Sequence, residues 1–328
     1  MEQRIEKRTL GRTGIEVTCL GFGGAAMGGM YADISDDAAR QLVTAAFEKQ
    51  INFFDTAPLY GYGKSEQRFG SALKHLPRDE FVLSTKVGRL LQPLADDDDR
   101  MDIFVDPPPF SAPFDFSYDA TMRSLEDSLG RLQLDRIDIV LIHDPDDHFQ
   151  EAIDGAYRAL HELREQGVVK AIGAGMNQWE MLAEFARQGD FDVFLLAGRY
   201  TLLEQTPLET FFPLIEEKNI GIILGGTYNS GILAGGKTYN YNHVPEDILE
   251  KVRQLSAVAE RHSVSLKAAA CQFCLAHPAV AAIIPSTLQE AELLENIDLI
   301  NQQIPADFWR ELKALALIDE TAPVPEAK

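Results

Sequence analysis

Short apolar runs and amphipathic helical stretches alternate along this chain with a regularity that few folds allow. From Thr18 onward, eight strand-like runs alternate with eight helical segments. The runs are IEVTCLGFGG, INFF at 51–54, FVLSTK at 81–86, IDIVLIH ending at His143, VVKAIGAG, DVFLLA at 192–197, IGIIL, and AVAAIIP at 279–285. Several are apolar nearly throughout, the mark of strands buried on both faces of a parallel sheet. Helices are expected from Ser35, a capping residue followed by Asp36 and Asp37, to about Lys49. Others run from Ser65 to about His75, Tyr118 to Arg131, Phe149 to Gln166, Gln178 to Arg187, Leu208 to Lys218, over 246–261 and 265–276 together as one segment, and over 288–300.

Eight such units close an α/β barrel of the (β/α)8 type, whose active site lies at the C-terminal ends of the strands. An open doubly wound sheet would want GxGxxG after its first strand and an acid about 20 residues on, which GFGGAAMGG matches poorly. The expectation is a single domain over 1–328. An N-terminal β-hairpin precedes the barrel, turning at Arg12–Gly14, and an extra C-terminal helix follows it from about Pro305 to Leu317. The glycines Gly21, Gly23, Gly24, Gly28 and Gly29 read either as close packing or as a pocket-lining turn.

Residues 90–117 stand apart. They carry Asp96–Asp99, Pro107–Pro109, Pro113 and the aromatics Phe104, Phe110, Phe114 and Phe116. They read as neither helix nor strand, and as a lid over the site more than a solvated excursion. The Asp run reads as a charge cluster in solvent, not a metal site.

Composition narrows the partners. Thirty basic and 51 acidic residues give a formal charge of −21, which argues against nucleic acid or an anionic membrane. Cys19, Cys271 and Cys274 are too few for a disulfide framework. The CxxC at Cys271 and Cys274 sits in an Ala-rich helical pattern with no second ligand pair, so it reads as core and no metal is expected. The start, MEQRIEKRTLG, shows no apolar signal segment, and the expected location is the cytoplasm. The assembly is left open between monomer and homo-oligomer.

The chemistry centres on INFFDTAPLYGYG, 51–63. Asp55 ends the second barrel strand, Lys86 the third and His143 the fourth, and Tyr60 rides on the loop after the second. Barrel closure brings these positions to one rim. A phenol has a reference pKa of ~10, so acid–base work at neutral pH needs a cation beside it. Lys86 is that cation, Asp55 its counter-charge, and His143 a group to hydrogen-bond the substrate oxygen and help move the proton. Lowering the phenol to about 7 takes about 4 kcal/mol of differential stabilisation.

With these residues in place, FFDTAPLYG resembles the signature of the aldo-keto reductases around their catalytic Asp and Tyr, and Lys86 and His143 fall where that family keeps its other two catalytic residues. The resemblance runs from LGRTGIEVTCLGFGG to PSTLQEAELLEN. It implies a nicotinamide cofactor across the barrel mouth and hydride transfer to or from a carbonyl or carbinol carbon. It assigns Asn177 to the nicotinamide carboxamide, although Met176 replaces a usual Ser. Gly198 stands for a usual Gln, and Gly225 for an aromatic that often stacks on the nicotinamide. Thr227, Tyr228, Asn229, Ser230, Gly231 and Leu233 match the loop that closes over the pyrophosphate, where small side chains and backbone N–H groups suit a phosphate.

In many members a basic residue follows the Pro of PSTLQEAELLEN and another lies six further on, holding the 2′-phosphate of NADP. Here Ser286, Thr287 and Glu292 occupy that stretch. Glu292 would repel a phosphate and accept from a ribose hydroxyl, so NAD is expected over NADP. Glu295 and Asn296 match positions that hold the adenine. AGRYTLL (197–203), GGTYNSGIL (225–233) and LIHDPD (141–146) resemble the bacterial aldose 1-dehydrogenases, implying oxidation of a D-threo-aldose, L-fucose or L-galactose at C1 to a lactone. Phe110, Phe114, Tyr31 and Trp179 are candidates to stack on the sugar. Pyridoxal oxidation, NADPH-linked aldehyde reduction and a non-catalytic nucleotide-sensing module are the alternatives.

Overall fold

A computed structural model of the protein describes residues 4–96 and 100–326. The chain begins with the expected hairpin, β1 (Lys7–Thr9) against β2 (Glu16–Thr18), paired Lys7↔Thr18 and Thr9↔Glu16. The barrel strands follow as β3 (Phe22–Gly23), β4 (Phe53–Asp55) and β5 (Val82–Val87). After the short β6 (Gln92–Pro93) and β7 (Phe110–Ser111) come β8 (Ile139–His143), β9 (Ala171–Met176), β10 (Val193–Ala197) and β11 (Gly221–Gly225). A second small pair, β12 (Thr238–Tyr239) and β13 (Asn242–His243), precedes the last barrel strand, β14 (Val280–Ile283).

The eight barrel strands form one sheet in the order β14-β11-β10-β9-β8-β5-β4-β3, parallel throughout. Leu20 bridges Ile283 in parallel, with Gly21 N–H to Ile283 O at 2.8 Å and Ile283 N–H to Cys19 O at 2.9 Å, so the first and last strands meet and the sheet closes on itself. The helices lie between strands: α1 (Asp36–Glu48), α2 (Lys64–Leu73), α3 (Tyr118–Leu132), α4 (Phe149–Glu151) continuing into α5 (Arg158–Glu165), α6 (Trp179–Gln188), α7 (Phe211–Lys218), α8 (Glu246–Arg261), α9 (Leu266–Ala276) and α10 (Glu290–Asn301). The extra C-terminal helix is α11 (Ala306–Ala314). Ser35, Ser117 and Ser265 cap α1, α3 and α9, each accepting from the N–H three residues on.

Two cores result. Inward-facing Phe53, Val82, Leu141, Val193, Leu195 and Ile223 fill the barrel, and Leu10, Ile15 and Val17 of the hairpin join them from below. The hairpin is bolted on. Asn52 accepts from Thr18 N–H at 2.6 Å and donates to Glu16 O at 3.0 Å. Arg8 donates to Leu275 O at 2.7 Å and Val280 O at 3.0 Å. Outside the barrel, helix faces pack on the sheet around Phe22, Phe54, Phe69, Phe185 and Phe194.

Three expectations need correction. Residues 90–117 contain strand after all, the β6–β7 pair, because Gln92 and Pro93 align against Ser111 and Phe110 across the prolines. The glycine-studded stretch after β11 runs on into a second hairpin, β12–β13, that the sequence reading passed over. The Phe149–Gln166 helix is interrupted by a π-helical segment, Ala152–Tyr157. There the backbone of Gly155 is crowded by Phe116, and a Cβ would lie 2.2 Å from Phe116 O. Asp97–Asp99 of the acidic run fall outside the described residues. Among the described residues, no cluster of His, Cys, Asp and Glu could hold a metal, and no helix is long and apolar enough to cross a membrane. Cys271 and Cys274 are free and buried, as a core reading requires.

Candidate active site

Asp55 and His143 end β4 and β8 and Lys86 is the last residue but one of β5, neighbouring strands of one parallel sheet, so their side chains meet at the rim. Lys86 Nζ donates to Asp55 Oδ2 at 2.8 Å and to Thr56 O at 2.9 Å. The other carboxylate oxygen of Asp55 accepts from Ser84 Oγ at 2.6 Å. Lysine and aspartate are each 1% exposed, so the pair is dry and its orientation fixed. Lys86 Nζ stands 4.5 Å from the centre of the Tyr60 ring, near enough for its charge to act on the phenol. The ring of His143 meets that of Tyr60 edge-on, 5.6 Å between centres. The four residues expected to converge do so.

The glycines explain how Tyr60 is held. A Cβ on Gly28 would lie 2.5 Å from the Tyr60 carbonyl carbon, and one on Gly61, at φ +63, would lie 2.1 Å from Gly28 O. Two backbones touch here, and side chains on either would drive them apart. Within the glycine cluster, Gly28 is one that close packing requires.

The electrostatics differ from expectation in one respect. Burial pushes the Tyr60 phenol up to about 12, with Lys86 pulling it down and Asp55 up. Lys86 acts in the expected direction, but desolvation in this closed rim outweighs it, so the phenol is protonated and not poised near 7. Asp55 raises the Lys86 pKa, keeping the ammonium charged despite burial. His143 is driven well below the ordinary imidazole range by burial first, then by Lys86 and Arg89. It is therefore neutral, a hydrogen-bonding group and not a store for a proton. Its Nδ1 is buried without a partner, which leaves Nε2 for the mouth.

The residues that the resemblance assigns to the cofactor lie around the same opening. Asn177 follows β9 and donates to Ala197 O at 2.8 Å. Gly225 ends β11, and a Cβ there would make only ordinary contact with Ala197 and Leu195. Next come Thr227, whose hydroxyl is buried without a partner, and Asn229, whose Oδ1 is likewise orphaned while its amide donates to Gly198 O at 3.1 Å. Asn229, Ser230 and Gly231 all have positive φ, a left-handed turn in which the N–H groups of Asn229 and Gly231 are held by Gly226 O and Tyr228 O. Leu233 is buried behind them, its N–H on Tyr228 O. The unpartnered Thr227 hydroxyl, a donor buried beside this turn, fits a phosphate-bearing cofactor.

At the far end Ser286 donates to Gly23 O at 3.0 Å. Glu292 Oε2 accepts from the Thr287 hydroxyl and from Leu288 N–H at 3.2 Å, just before α10; its other oxygen has no partner among the described residues. Glu295 is paired with Lys267 at 2.7 Å. Asn296 Oδ1 accepts from the Tyr228 hydroxyl at 2.9 Å, tying the two halves of this surface together.

Of the stacking candidates, Phe110 joins Leu59, Tyr60, Tyr62 and Phe104 in an apolar cluster at the mouth. Phe114 carries the Arg89 guanidinium on its face, and Tyr31 is exposed at the rim. Trp179 does not join them. It faces Phe211 and donates to Thr206 in the helical layer. The sequence reading missed Arg89, Asp144 and Tyr241. Asp144 directly follows His143, so adjacency was its available signal. Tyr241 tips the unforeseen hairpin and had none.

The aldo/keto reductase family model matches residues 19–317. A pyridoxal 4-dehydrogenase of Microbacterium luteolum is 37% identical over 95% of this chain and 98% of its own length. A D-threo-aldose 1-dehydrogenase of a Pseudomonas species is also 37% identical, over 93% and 96%. Among solved structures, an aldo-keto reductase of Bacillus halodurans in its holo form superposes with a TM-score of 0.76 at 26% identity, over 98% of this chain and 99% of that one. The chain belongs to the aldo/keto reductase family, whose members are oxidoreductases that work with a nicotinamide cofactor.

Proposed function

We propose that this enzyme is an NAD-dependent aldose 1-dehydrogenase, taking hydride from C1 of a cyclic sugar and yielding the lactone. The observation that carries this reading is the dry Asp55–Lys86 pair, 2.8 Å long, set against the Tyr60 ring. The 37% identity to a D-threo-aldose 1-dehydrogenase supports the substrate class.

The residues divide the work. In its ionised form, which Lys86 stabilises, Tyr60 takes the proton of the C1 hydroxyl as the C–H bond gives up its electron pair as hydride, and becomes the neutral phenol. Asp55 keeps the ammonium of Lys86 in place. His143 Nε2 hydrogen-bonds the C1 oxygen and fixes its position. When bound, the nicotinamide supplies the hydride acceptor and, oxidised, a second positive charge near the phenol. Asn177, the 227–233 loop, Glu292 and Asn296 are the residues that would hold it, with Glu292 Oε1 directed to a ribose hydroxyl. Lys267, whose partner Glu295 lies one turn along α10 from Glu292, is already paired, which supports NAD over NADP.

Pyridoxal is the second reading, favoured by the equally similar pyridoxal 4-dehydrogenase. Following NADH formation with a panel of free aldoses and with pyridoxal, under NAD and under NADP, tests both. NADH formation with an aldose is the expected result. Turnover of pyridoxal alone sinks the sugar assignment, and a strong NADP preference sinks the cofactor assignment.

A further inference from the structure

Beside the four residues just described sits a carboxylate with no part in the proton chemistry. Asp144 follows His143 and adopts φ +47, a region uncommon outside glycine. Its N–H donates to Gly175 O at 3.0 Å, so the backbone is pinned in that form. The turn sends the side chain into the mouth, where Oδ2 lies 3.6 Å from His143 Nε2 and the side chain stays 32% exposed. Nearby, the Arg89 guanidinium lies over Phe114, 3.4 Å from the ring centre, with its Nε buried and without an acceptor. Asp144 and Arg89 feel each other's charge, as does Tyr60 that of Asp144, yet among the described residues no ion pair joins the two. Opposite charges this near, neither closed on the other, keep hydrogen-bonding capacity for a third party. A buried N–H left unpaired is costly, so a ligand that meets it gains what the protein forgoes.

We propose that Asp144 and Arg89 read the hydroxyls of the substrate, Asp144 accepting from the hydroxyl on the carbon next to the one oxidised and Arg89 donating to an oxygen beyond it. This rests on the aldose reading. If His143 Nε2 serves the oxygen on C1, a carboxylate 3.6 Å from that nitrogen reaches substituents of the adjoining atoms. One of those atoms is the ring oxygen, which has no proton to give a carboxylate. The other is C2, whose hydroxyl has one. Ring oxygen and remoter hydroxyl oxygens are acceptors, suited to a guanidinium that can only donate. A plain aldehyde would leave both charges unanswered, and sites built this way reject analogues that lack the hydroxyl.

The test is a cycle between protein and substrate. Steady-state NADH formation is measured for an aldose and its 2-deoxy counterpart with the wild type, Asp144→Ala and Asp144→Asn. The wild type is expected to favour the parent sugar by about 10- to 100-fold in kcat/KM, the range of one charged hydrogen bond. Asp144→Ala is expected to bring the two sugars within about 3-fold of each other, and the near-isosteric Asp144→Asn, a neutral acceptor, to fall between. Thermal melts and NADH binding establish that each variant is folded, and the Asn variant carries the comparison if the Ala variant is not. Equal discrimination in wild type and variants overturns the proposal and leaves the aldose reading intact. Failure of the wild type to oxidise any aldose overturns that reading, and this one with it.

Discussion

The ammonium of Lys86 lies 4.5 Å from the centre of the Tyr60 ring, closer to a benzene face than a surface lysine would ever need to be. It stays there because Asp55 and Thr56 hold it from the other side. Removing it therefore has two consequences. Lys86→Met is expected to cut kcat/KM by about 1,000-fold or more, through loss of charge stabilisation in a dry site. It is also expected to lower stability by about 3–5 kcal/mol, since Asp55 is left buried and unpaired. The double variant Lys86→Met/Asp55→Leu should regain most of the stability in urea titrations and none of the activity.

Because burial holds the Tyr60 phenol up at about 12, the fraction ionised grows with pH across the neutral and alkaline range. The rate of oxidation is accordingly expected to climb from pH 7 to 9. Tyr60→Phe should abolish turnover while leaving NADH binding, read by fluorescence, within about 3-fold of wild type. A flat alkaline profile in the wild type would contradict this account.

Asp144 sets the other limb. Burial raises its carboxyl to about 6, Asp146 adding to the rise and Arg89 and Lys86 opposing it. Tyr241, from the β12–β13 hairpin, and Tyr60 face it too and stay neutral there. His143 titrates far lower and contributes nothing in this range. Below pH 6 Asp144 is protonated, so kcat/KM for a sugar is expected to fall as pH drops through 6, and Asp144→Asn should flatten that limb.

Glu292 does two jobs in this reading, facing a ribose with one oxygen and holding the Leu288 N–H before α10 with the other. Glu292→Arg is expected to raise the NADP-to-NAD ratio of kcat/KM by about 10-fold or more, by replacing a like charge with an opposite one. The same change should lose about 1 kcal/mol of stability as the Leu288 N–H goes unmet. Cofactor titrations and a thermal melt read the two effects separately.

Asn52→Ala is expected to lower stability by about 2–3 kcal/mol, because it strands Thr18 N–H and Glu16 O at once. The site lies at the other end of the strands, so kcat at a temperature where the variant is folded should stay within about 2-fold of wild type.

What the sequence made legible follows from how each signal is encoded. The barrel was readable because runs such as IDIVLIH and the Ser35, Ser117 and Ser265 caps are local patterns with a direct physical cause. Asp55, Lys86 and His143 were readable because each is the last polar residue of an apolar strand, and strand ends converge by topology alone. Tyr60 was readable by position but not by titration. The desolvation that lifts its pKa comes from the whole rim, including loop residues far away in sequence. Asp144 was hidden behind a backbone angle. In an ordinary conformation a residue after His143 would alternate to the outer face of the sheet, and φ +47 brings it back to the mouth. The β6–β7 and β12–β13 pairs are two residues per strand, too short to leave any periodicity.

The hairpin bolted beneath the barrel has a kinetic meaning as well as a structural one. A vessel stoppered at its base has one doorway. Substrate, nucleotide and solvent share the rim at the C-terminal ends of the strands, where Tyr31 and Tyr241 stand near each other. A change to that rim therefore bears on every molecule that enters or leaves, whichever bond is being broken inside.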